Sequence, residues 1–374
     1  MKCFNAGNYL SQGTFKSFIP EDINRKWTLD DMEVIELLSQ ADRQLGRLDM
    51  YSEYIPNIDL FISMHVVKEA TQSSKIEGTK TNIEKALQDR MEIAEEQRDD
   101  WEEVQNYIEA LNSAIKSLEE LPISSKLIKR VHKILLKGVR GKHKIPGQFR
   151  KSQNWIGGAS ISDATFIPPP FHEVNHLMGD LEKFTHNNEN KLPHLLKIAL
   201  IHYQFETIHP FLDGNGRVGR LLITLYLVEK GLLKKPILYL SDFLEKNRQL
   251  YYNNLMKVRT SNDIKQWFKF FLIGVIETAQ NSINTFDNIL KLQKEVEAKI
   301  QSLGTRSIKA RKVVNQLYHK PIINVQKIAN LTQISLPSAY KLANELEQLE
   351  ILKETTGAKR GRQYWFVEYL NLFK

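Results

Sequence analysis

The stretch His209-Pro210-Phe211-Leu212-Asp213-Gly214-Asn215-Gly216-Arg217-Val218-Gly219-Arg220 decides the fold of this 374-residue chain and governs how the rest is read. It combines a candidate general base, a metal-seeking carboxylate, a turn of backbone amides and two guanidinium groups. Gly214-Asn215-Gly216 can present successive N–H groups as an anion nest, and a helix starting at Gly216 aims its positive end at the same place. Arg217 and Arg220 are three apart, so on that helix they lie near one face and can clamp neighbouring phosphates. Asp213 is an oxygen ligand of the kind Mg²⁺ takes when it also holds phosphate oxygens. His209, with an ordinary pKa of about 6.5, can accept a proton near neutral pH. The inventory suits a nucleoside triphosphate.

Two better-known phosphate motifs do not account for it. Gly214-x-Gly216-x-x-Gly219 matches the dinucleotide-binding pattern by letter. The residues before it, Pro193 to Ile208, read as helix where that fold needs a strand, and no strand with an acidic residue follows about twenty positions on. A Walker loop needs Gly-Lys-Ser/Thr, and the chain has no such triplet. The plainest structural reading is a glycine-rich helix start with two solvated arginines, the usual state of that residue.

The stretch resembles, without a mismatch, the signature of the Fic family, His-Pro-Phe-x-Asp/Glu-Gly-Asn-Gly-Arg-x-x-Arg. Phe205-Glu206-Thr207-Ile208 is similar to the family's lead-in. Pro146-Gly147-Gln148-Phe149-Arg150, Trp155-Ile156-Gly157-Gly158 and Phe166-Ile167-Pro168-Pro169-Pro170 resemble its flap and flanks. Tyr251-Tyr252 falls where relatives keep aromatic contacts to the nucleotide. Ala41-Asp42-Arg43 and Leu45-Gly46-Arg47-Leu48 resemble the family's N-terminal domain, so the likeness runs over roughly residues 1 to 290.

Ser73-Ser74-Lys75-Ile76-Glu77-Gly78 resembles the family's inhibitory signature, Ser/Thr-x-x-x-Glu-Gly/Asn. Leu60 to Glu77 reads as a helix with Gly78 as its stop, and Ser73 and Glu77, four apart, share a face. The bland reading is an exposed glutamate at a helix end. The resemblance implies instead that Glu77 salt-bridges Arg220 and denies it to the γ-phosphate, with the Ser73 hydroxyl helping to hold the glutamate.

Composition sets the frame. The apolar and charged fractions, 42% and 26%, are those of an ordinary soluble protein. One cysteine, Cys3, precludes an intramolecular disulfide and a multi-cysteine zinc site. No apolar run approaches the roughly 20 residues of a membrane span, and the N-terminus lacks the apolar core of a secretory signal, so a cytoplasmic protein is expected. The formal charge of +8 is uneven: residues 305–374 hold twelve Lys and Arg against five Asp and Glu, while the preceding residues nearly balance.

The periodicity predicts a mainly α protein; the resemblance implies a Fic-type helical core with a short β-hairpin flap, and the element order after it resembles a winged helix-turn-helix domain. Residues 1–97 form an N-terminal region with the inhibitory helix, its last two helices near 60–77 and 81–97. Residues 98–290 form the catalytic domain, with helices at Trp101–Leu118, Lys126–Leu136, Glu173–Phe184, His194–Thr207, Arg217–Lys230, Leu244–Val258 and Ile264–Thr278. Only Trp155–Ile167 suggests strands there, a hairpin closed by prolines. Residues 291–304 are a polar helical connector. In residues 305–374, Ile308–Tyr318 and Val325–Ala329 read as helices and Ser335 caps a third with Pro337 in its first turn. Strand-like Ile351–Lys353 and Tyr364–Val367 flank a Gly-Ala-Lys-Arg-Gly-Arg tip. That order resembles a winged helix, with Ser338, Lys341 and Asn344 facing a groove of duplex DNA and the basic tip on phosphate. A winged helix that binds protein, its tip merely solvated, stays open beside it.

The Fic resemblance implies transfer of AMP from ATP to a Ser, Thr or Tyr hydroxyl of a protein, this chain itself included. His209 accepts the hydroxyl proton, and Mg²⁺ on Asp213 bridges the α- and β-phosphates. Gly214, Asn215 and Gly216 stabilise charge on the transferring phosphate. Arg217 holds the β-phosphate, Arg220 the γ-phosphate, and Gly219 completes the motif. Thr165 and its flap neighbours Ala164 and Phe166 align the target, Tyr251 and Tyr252 contact the nucleotide, Phe211 packs inward, and His202 and Glu206 are structural. Doc-type relatives transfer the γ-phosphate but carry Lys at the position of Gly216. Some relatives use the inhibitory glutamate to remove AMP. A reading from another class is a DNA-binding regulator whose Fic domain senses nucleotide. The sequence names neither the target, nor the trigger, nor a homo-oligomeric state.

Overall fold

Two helices that are apolar nearly all round lie at the centre of the molecule, as such helices must. In the computed structural model, which describes residues 4–55, 57–138, 140–357 and 361–374, everything else packs around them. Cys3, Lys359 and Arg360 lie outside the described residues. The chain opens with an antiparallel hairpin, β1 (Gly7–Ser11) and β2 (Lys16–Pro20), then α1 (Met32–Tyr54), α2 (Ile58–Ile76), α3 (Ile83–Leu87), α4 (Arg98–Ser117) and α5 (Ser125–Leu135). After the flap region come α6 (Val174–His186), the central pair α7 (His194–Ile208) and α8 (Asn215–Glu229), then α9 (Ser241–Lys246), α10 (Arg248–Ser261) and α11 (Ile264–Gln301). The chain continues through α12 (Ser307–His319), β3 (Ile322–Asn324), α13 (Val325–Thr332), α14 (Leu336–Gln348), β4 (Lys353–Glu354), β5 (Gln363–Trp365) and α15 (Val367–Asn371).

Local chemistry sets the helix starts. Asp31, Asn82, Ser124, Asp263 and Asn324 each accept a backbone N–H three residues on, at the starts of α1, α3, α5, α11 and α13. From Leu195 to Ile208 every α7 residue is buried, and so is every α8 residue from Asn215 to Leu227. The loop 209–214 that joins them therefore sits on the rigid centre of the core. Among the described residues no helix is long and apolar enough to cross a membrane.

Before the C-terminal residues, the elements depart from expectation at five places. The expected flap hairpin is a single bridge, Ile156 to Phe166, because the Asp163 carboxylate takes the Ala159 and Ser160 amides and folds the tip into a turn. Strands form instead at β1 and β2, and Phe18 of β2 donates to the Ile167 carbonyl at 2.9 Å, tying that hairpin to the flap. The helix expected at 81–97 is only α3 followed by turns. The helix expected at Leu244–Val258 breaks at Asn247 into α9 and α10. The expected polar connector is the end of a longer helix with an apolar face: α11 runs unbroken to Gln301, burying Ile283, Phe286, Ile289, Leu292, Val296 and Ile300.

The C-terminal residues form a three-stranded antiparallel sheet, in the order β3-β5-β4, against α12, α13 and α14. Phe366 and Val367, read as strand, instead lead into α15. This part leans on α2: Tyr318 meets Phe61 edge-on at 5.4 Å, the Ser63 hydroxyl donates to the His319 carbonyl at 2.9 Å, and Phe373 packs on the His65 ring at 5.1 Å.

Candidate active site

His209 ends α7 in a left-handed conformation (φ 49°), which a non-glycine residue keeps only when its surroundings hold it. Its carbonyl accepts from Arg150 Nε at 3.0 Å and from Asn154 Nδ2 at 3.1 Å. The same buried guanidinium donates to the Ile208 and Pro169 carbonyls, and the Arg150 amide donates to Pro210. Phe211 is fully buried and stacks on His132, rings 3.7 Å apart and 5° from parallel. His132 accepts the Gly147 amide at Nδ1 (2.8 Å), so it is Nε2 that donates to the Asp213 carbonyl, 3.0 Å away. Burial pulls the His132 imidazole down to about 4, partly opposed by Asp213, which matches the neutral tautomer those bonds require. Arg150, Asn154 and His132 thus fix the loop from three sides.

His209 itself is pulled down to about 4, chiefly by burial, with Glu77 drawing it the other way. Its Nδ1 is buried. At neutral pH the ring is therefore uncharged and able to take a proton.

Arg217 and Arg220 are both buried, and each meets a carboxylate from an N-terminal helix. Arg220 Nη2 lies 2.6 Å from Glu77 Oε1, just past the end of α2. Burial alone would push the Glu77 carboxyl up, but Arg220, helped by Arg217 and His209, outweighs it and holds the carboxyl below its ordinary range. The Glu77 carboxylate lies across the first turn of α8, where a Cβ at Gly216 would collide with its Oε1. Arg217 Nη1 pairs with Glu103 Oε2 of α4 at 3.1 Å, and its Nη2 lies 3.6 Å from Asp213 Oδ1. Below Arg220, Glu206 is pushed up to about 7 by burial, against the pull of Arg220, and its carboxyl fills the space a Gly219 side chain would need.

Three expected contacts fall elsewhere. Ser73 grips the arginine and not the glutamate: its hydroxyl accepts from Arg220 Nε at 2.8 Å and its carbonyl from Nη2 at 2.9 Å. The Asn215 side chain is buried and spent on Phe211, accepting its N–H at 2.8 Å and donating to its carbonyl at 2.9 Å, so it clamps the loop. Tyr251 is buried, its hydroxyl 2.9 Å from His202 Nε2, and only Tyr252 reaches the surface. Thr165 sits in the flap, its amide donating to Ile156 at 2.9 Å. His202 is buried between Tyr251 and the Gly219 carbonyl. Spacing pointed to none of Glu103, His132 or Asn154, and Arg150 was visible only as part of a flap motif.

Among the described residues no three His, Cys, Asp or Glu side chains cluster as a metal site. Asp213 stands alone, its side chain 42% exposed, with the Gly214 amide on Oδ1 at 2.6 Å. One open carboxylate fits an ion that takes its other ligands from phosphate and water, as Mg²⁺ does, and not an all-protein cage. A cavity of about 990 Å³ between α2, α4 and α12 is lined by none of these residues.

The description "Fic/DOC family N-terminal" matches residues 35–116, and "Fic/DOC family" matches residues 122–227, together about half of the chain. The chain belongs to the Fic/DOC family. This Fic/DOC protein is 27% identical over 252 residues to a probable protein adenylyltransferase of Aquifex aeolicus, covering 66% of this chain and 73% of that one. It is 27% identical over 268 residues to the protein adenylyltransferase Fic of Drosophila mojavensis, a match spanning 66% of this chain but under half, 47%, of the relative. Among solved structures, a Fic family protein of Desulfovibrio desulfuricans superposes with a TM-score of 0.57 at 18% identity, covering 91% of this chain and 98% of that one. A Fic domain containing signaling protein of Bacteroides thetaiotaomicron gives 0.52 at 19%, covering 67% and 95%. At those identities the structures speak for the fold alone.

Proposed function

We propose that this protein transfers AMP from ATP to a hydroxyl side chain of a protein, and that Glu77 holds the reaction in check. The observation that carries the reading is the Glu77–Arg220 pair of 2.6 Å across the first turn of α8, beside a neutral His209. The attacking hydroxyl gives its proton to His209 Nε2, the ring nitrogen opposite the buried Nδ1, as its oxygen bonds to the α-phosphorus. The bond from that phosphorus to the bridging oxygen of the β-phosphate breaks, and pyrophosphate leaves. Backbone amides at the start of α8 face the charge on the transferring group, as preorganised donors do. Arg217 takes the β-phosphate and Arg220 the γ-phosphate once Glu77 has swung away. Asp213 would hold a Mg²⁺, which would neutralise charge on the leaving pyrophosphate when bound. The flap around Thr165 lines up the target segment by strand-like pairing.

ATP labelled at the α-phosphate tests this directly. Label is expected to enter protein, this chain included, to be absent with His209→Ala, and to rise several-fold with Glu77→Gly, roughly tenfold for each 1.4 kcal/mol of inhibition relieved. Labelling from the γ-phosphate instead would overturn the assignment.

We further assign residues 1–97, 98–290, 291–304 and 305–374 to the inhibitory region, catalytic domain, connector and winged helix. The last of these offers Ser338, Lys341 and Asn344 on the exposed side of α14, within the chain's basic segment, which favours contact with duplex DNA. Salt-sensitive duplex binding that weakens when Lys359, Arg360 and Arg362 are replaced is the expected result. Binding to no duplex at any salt would leave α14 as a protein contact.

A further inference from the structure

Each of the two arginines of the site meets a carboxylate from an N-terminal helix, and these two carboxylates are not alike. Glu77 has a third of its side chain in water, whereas Glu103 and Arg217 are 9% and 4% exposed. A partly solvated carboxylate can leave its partner and be rehydrated. A buried one that leaves strands a charge on both sides, so it stays.

Glu103 is also held from behind. It lies on the buried face of α4 with Asn106 and Tyr107. Asn106 Nδ2 donates to the Lys137 carbonyl at 2.7 Å, fastening α4 to the end of α5, the helix whose His132 holds the Asp213 carbonyl. The Tyr107 hydroxyl donates to Glu69 of α2 at 2.9 Å. A helix tied down on both sides presents the Glu103 carboxylate at a fixed place.

The donors of Arg217 divide accordingly. Nη1 is given to Glu103, Nη2 is 3.6 Å from Asp213, and Nε is buried with no acceptor among the described residues. The Nε–Nη2 edge, the one that pairs two oxygens side by side, keeps donors to give. Without Glu103 the guanidinium would close the remaining gap to Asp213, consuming both that edge and the carboxylate meant for the metal.

We propose that Glu103 is a positioning residue that braces Arg217 with its Nε–Nη2 edge turned to the second phosphate of the nucleotide, a role that rests on the AMP-transfer reading. Glu77 is the latch of the site and Glu103 its brace: one guanidinium must be released for the reaction, the other must never be.

The test compares nucleotides that differ by one phosphate. In the full chain carrying Glu77→Gly, the affinities of AMP and ADP are measured by calorimetry without a target protein. Adding Glu103→Gln, of the same shape, or Glu103→Ala is expected to weaken ADP roughly tenfold, a loss typical of one charged contact, and to leave AMP within about twofold. Glu103→Asp, which keeps the charge, should recover part of the loss. Equal weakening of AMP and ADP in the glutamine variant would make Glu103 a structural residue only, and unchanged ADP affinity would remove it from the site. If the Glu77→Gly parent binds neither nucleotide, the AMP-transfer reading itself falls, and the brace with it.

Discussion

Gly216 is the residue on which the latch turns. Its backbone is helical, so alanine costs it no strain, yet a Cβ there would strike Glu77 Oε1 and crowd Arg220 Nη1 at 2.8 Å. Gly216→Ala is therefore expected to push the Glu77 carboxylate off its arginine and raise AMP transfer several-fold, while adding nothing in a Glu77→Gly background. Rates measured in both backgrounds decide: a fall in each would mean that the nucleotide, not the glutamate, needs the space. The site's outline was legible because His209 to Arg220 are contiguous, so the chemistry and its order lie on one line of text. What was not legible came from across the fold. Glu103 is 114 positions from Arg217 and His132 is 81 from Asp213, and only helix packing brings them together. The Asn215 side chain was misread because its residue type fits a phosphate site as well as a loop clamp.

At the scale of elements, the flap and the catalytic loop are one assembly, and Arg150 is the rivet. Its guanidinium serves four backbone carbonyls, at Ser152, Pro169, Ile208 and His209, from a residue that is 2% exposed. Arg150→Met keeps the bulk and strands buried acceptors, at about 1–3 kcal/mol for each one left unmade. A melting temperature several degrees lower and a transfer rate down by at least tenfold are expected. A variant that melts lower but turns over normally would show that the left-handed His209 needs no such support. Most of the helices were readable from apolar spacing, but 81–97, read as one helix, holds only α3. The β1–β2 hairpin was not readable, since Asn8 to Ser11 face water and only a few side chains such as Phe18 reach the core. The break at Asn247 also left no mark, because the apolar period runs straight through it.

For the molecule as a whole, acid is the expected weakness. His65, His132 and His202 are buried and neutral, pulled down to about 3, 4 and 4 by burial. Unfolded, each binds a proton below about 6.5, while the folded chain refuses it until far lower. Their stability contribution is thus full above pH 6.5 and lost as pH falls toward 4, at about 1.4 kcal/mol per pH unit for each histidine. Glu206, raised to about 7, opposes one of the three, because folded protein takes its proton first between pH 7 and 4.5. Melting temperatures should decline steadily from pH 6.5 to 4.5, and a flat profile would contradict the burial of these rings. The unbroken α11 has a different bearing on the whole. A flexible tether would let the C-terminal region sweep a sphere around the active site, but a helix of 38 residues, about 57 Å long, is a rod. On the proposed reading, a partner gripped by that region would be carried at a set distance and bearing from His209. A hydroxyl that falls in line is presented at high effective concentration, and one a short way off is not presented at all. Target choice would then be partly a matter of surveying: one residue inserted into the rod near Lys294 asks the C-terminal region to rise by 1.5 Å and turn by about 100° against its contacts with α2, enough to trade one set of reachable hydroxyls for another.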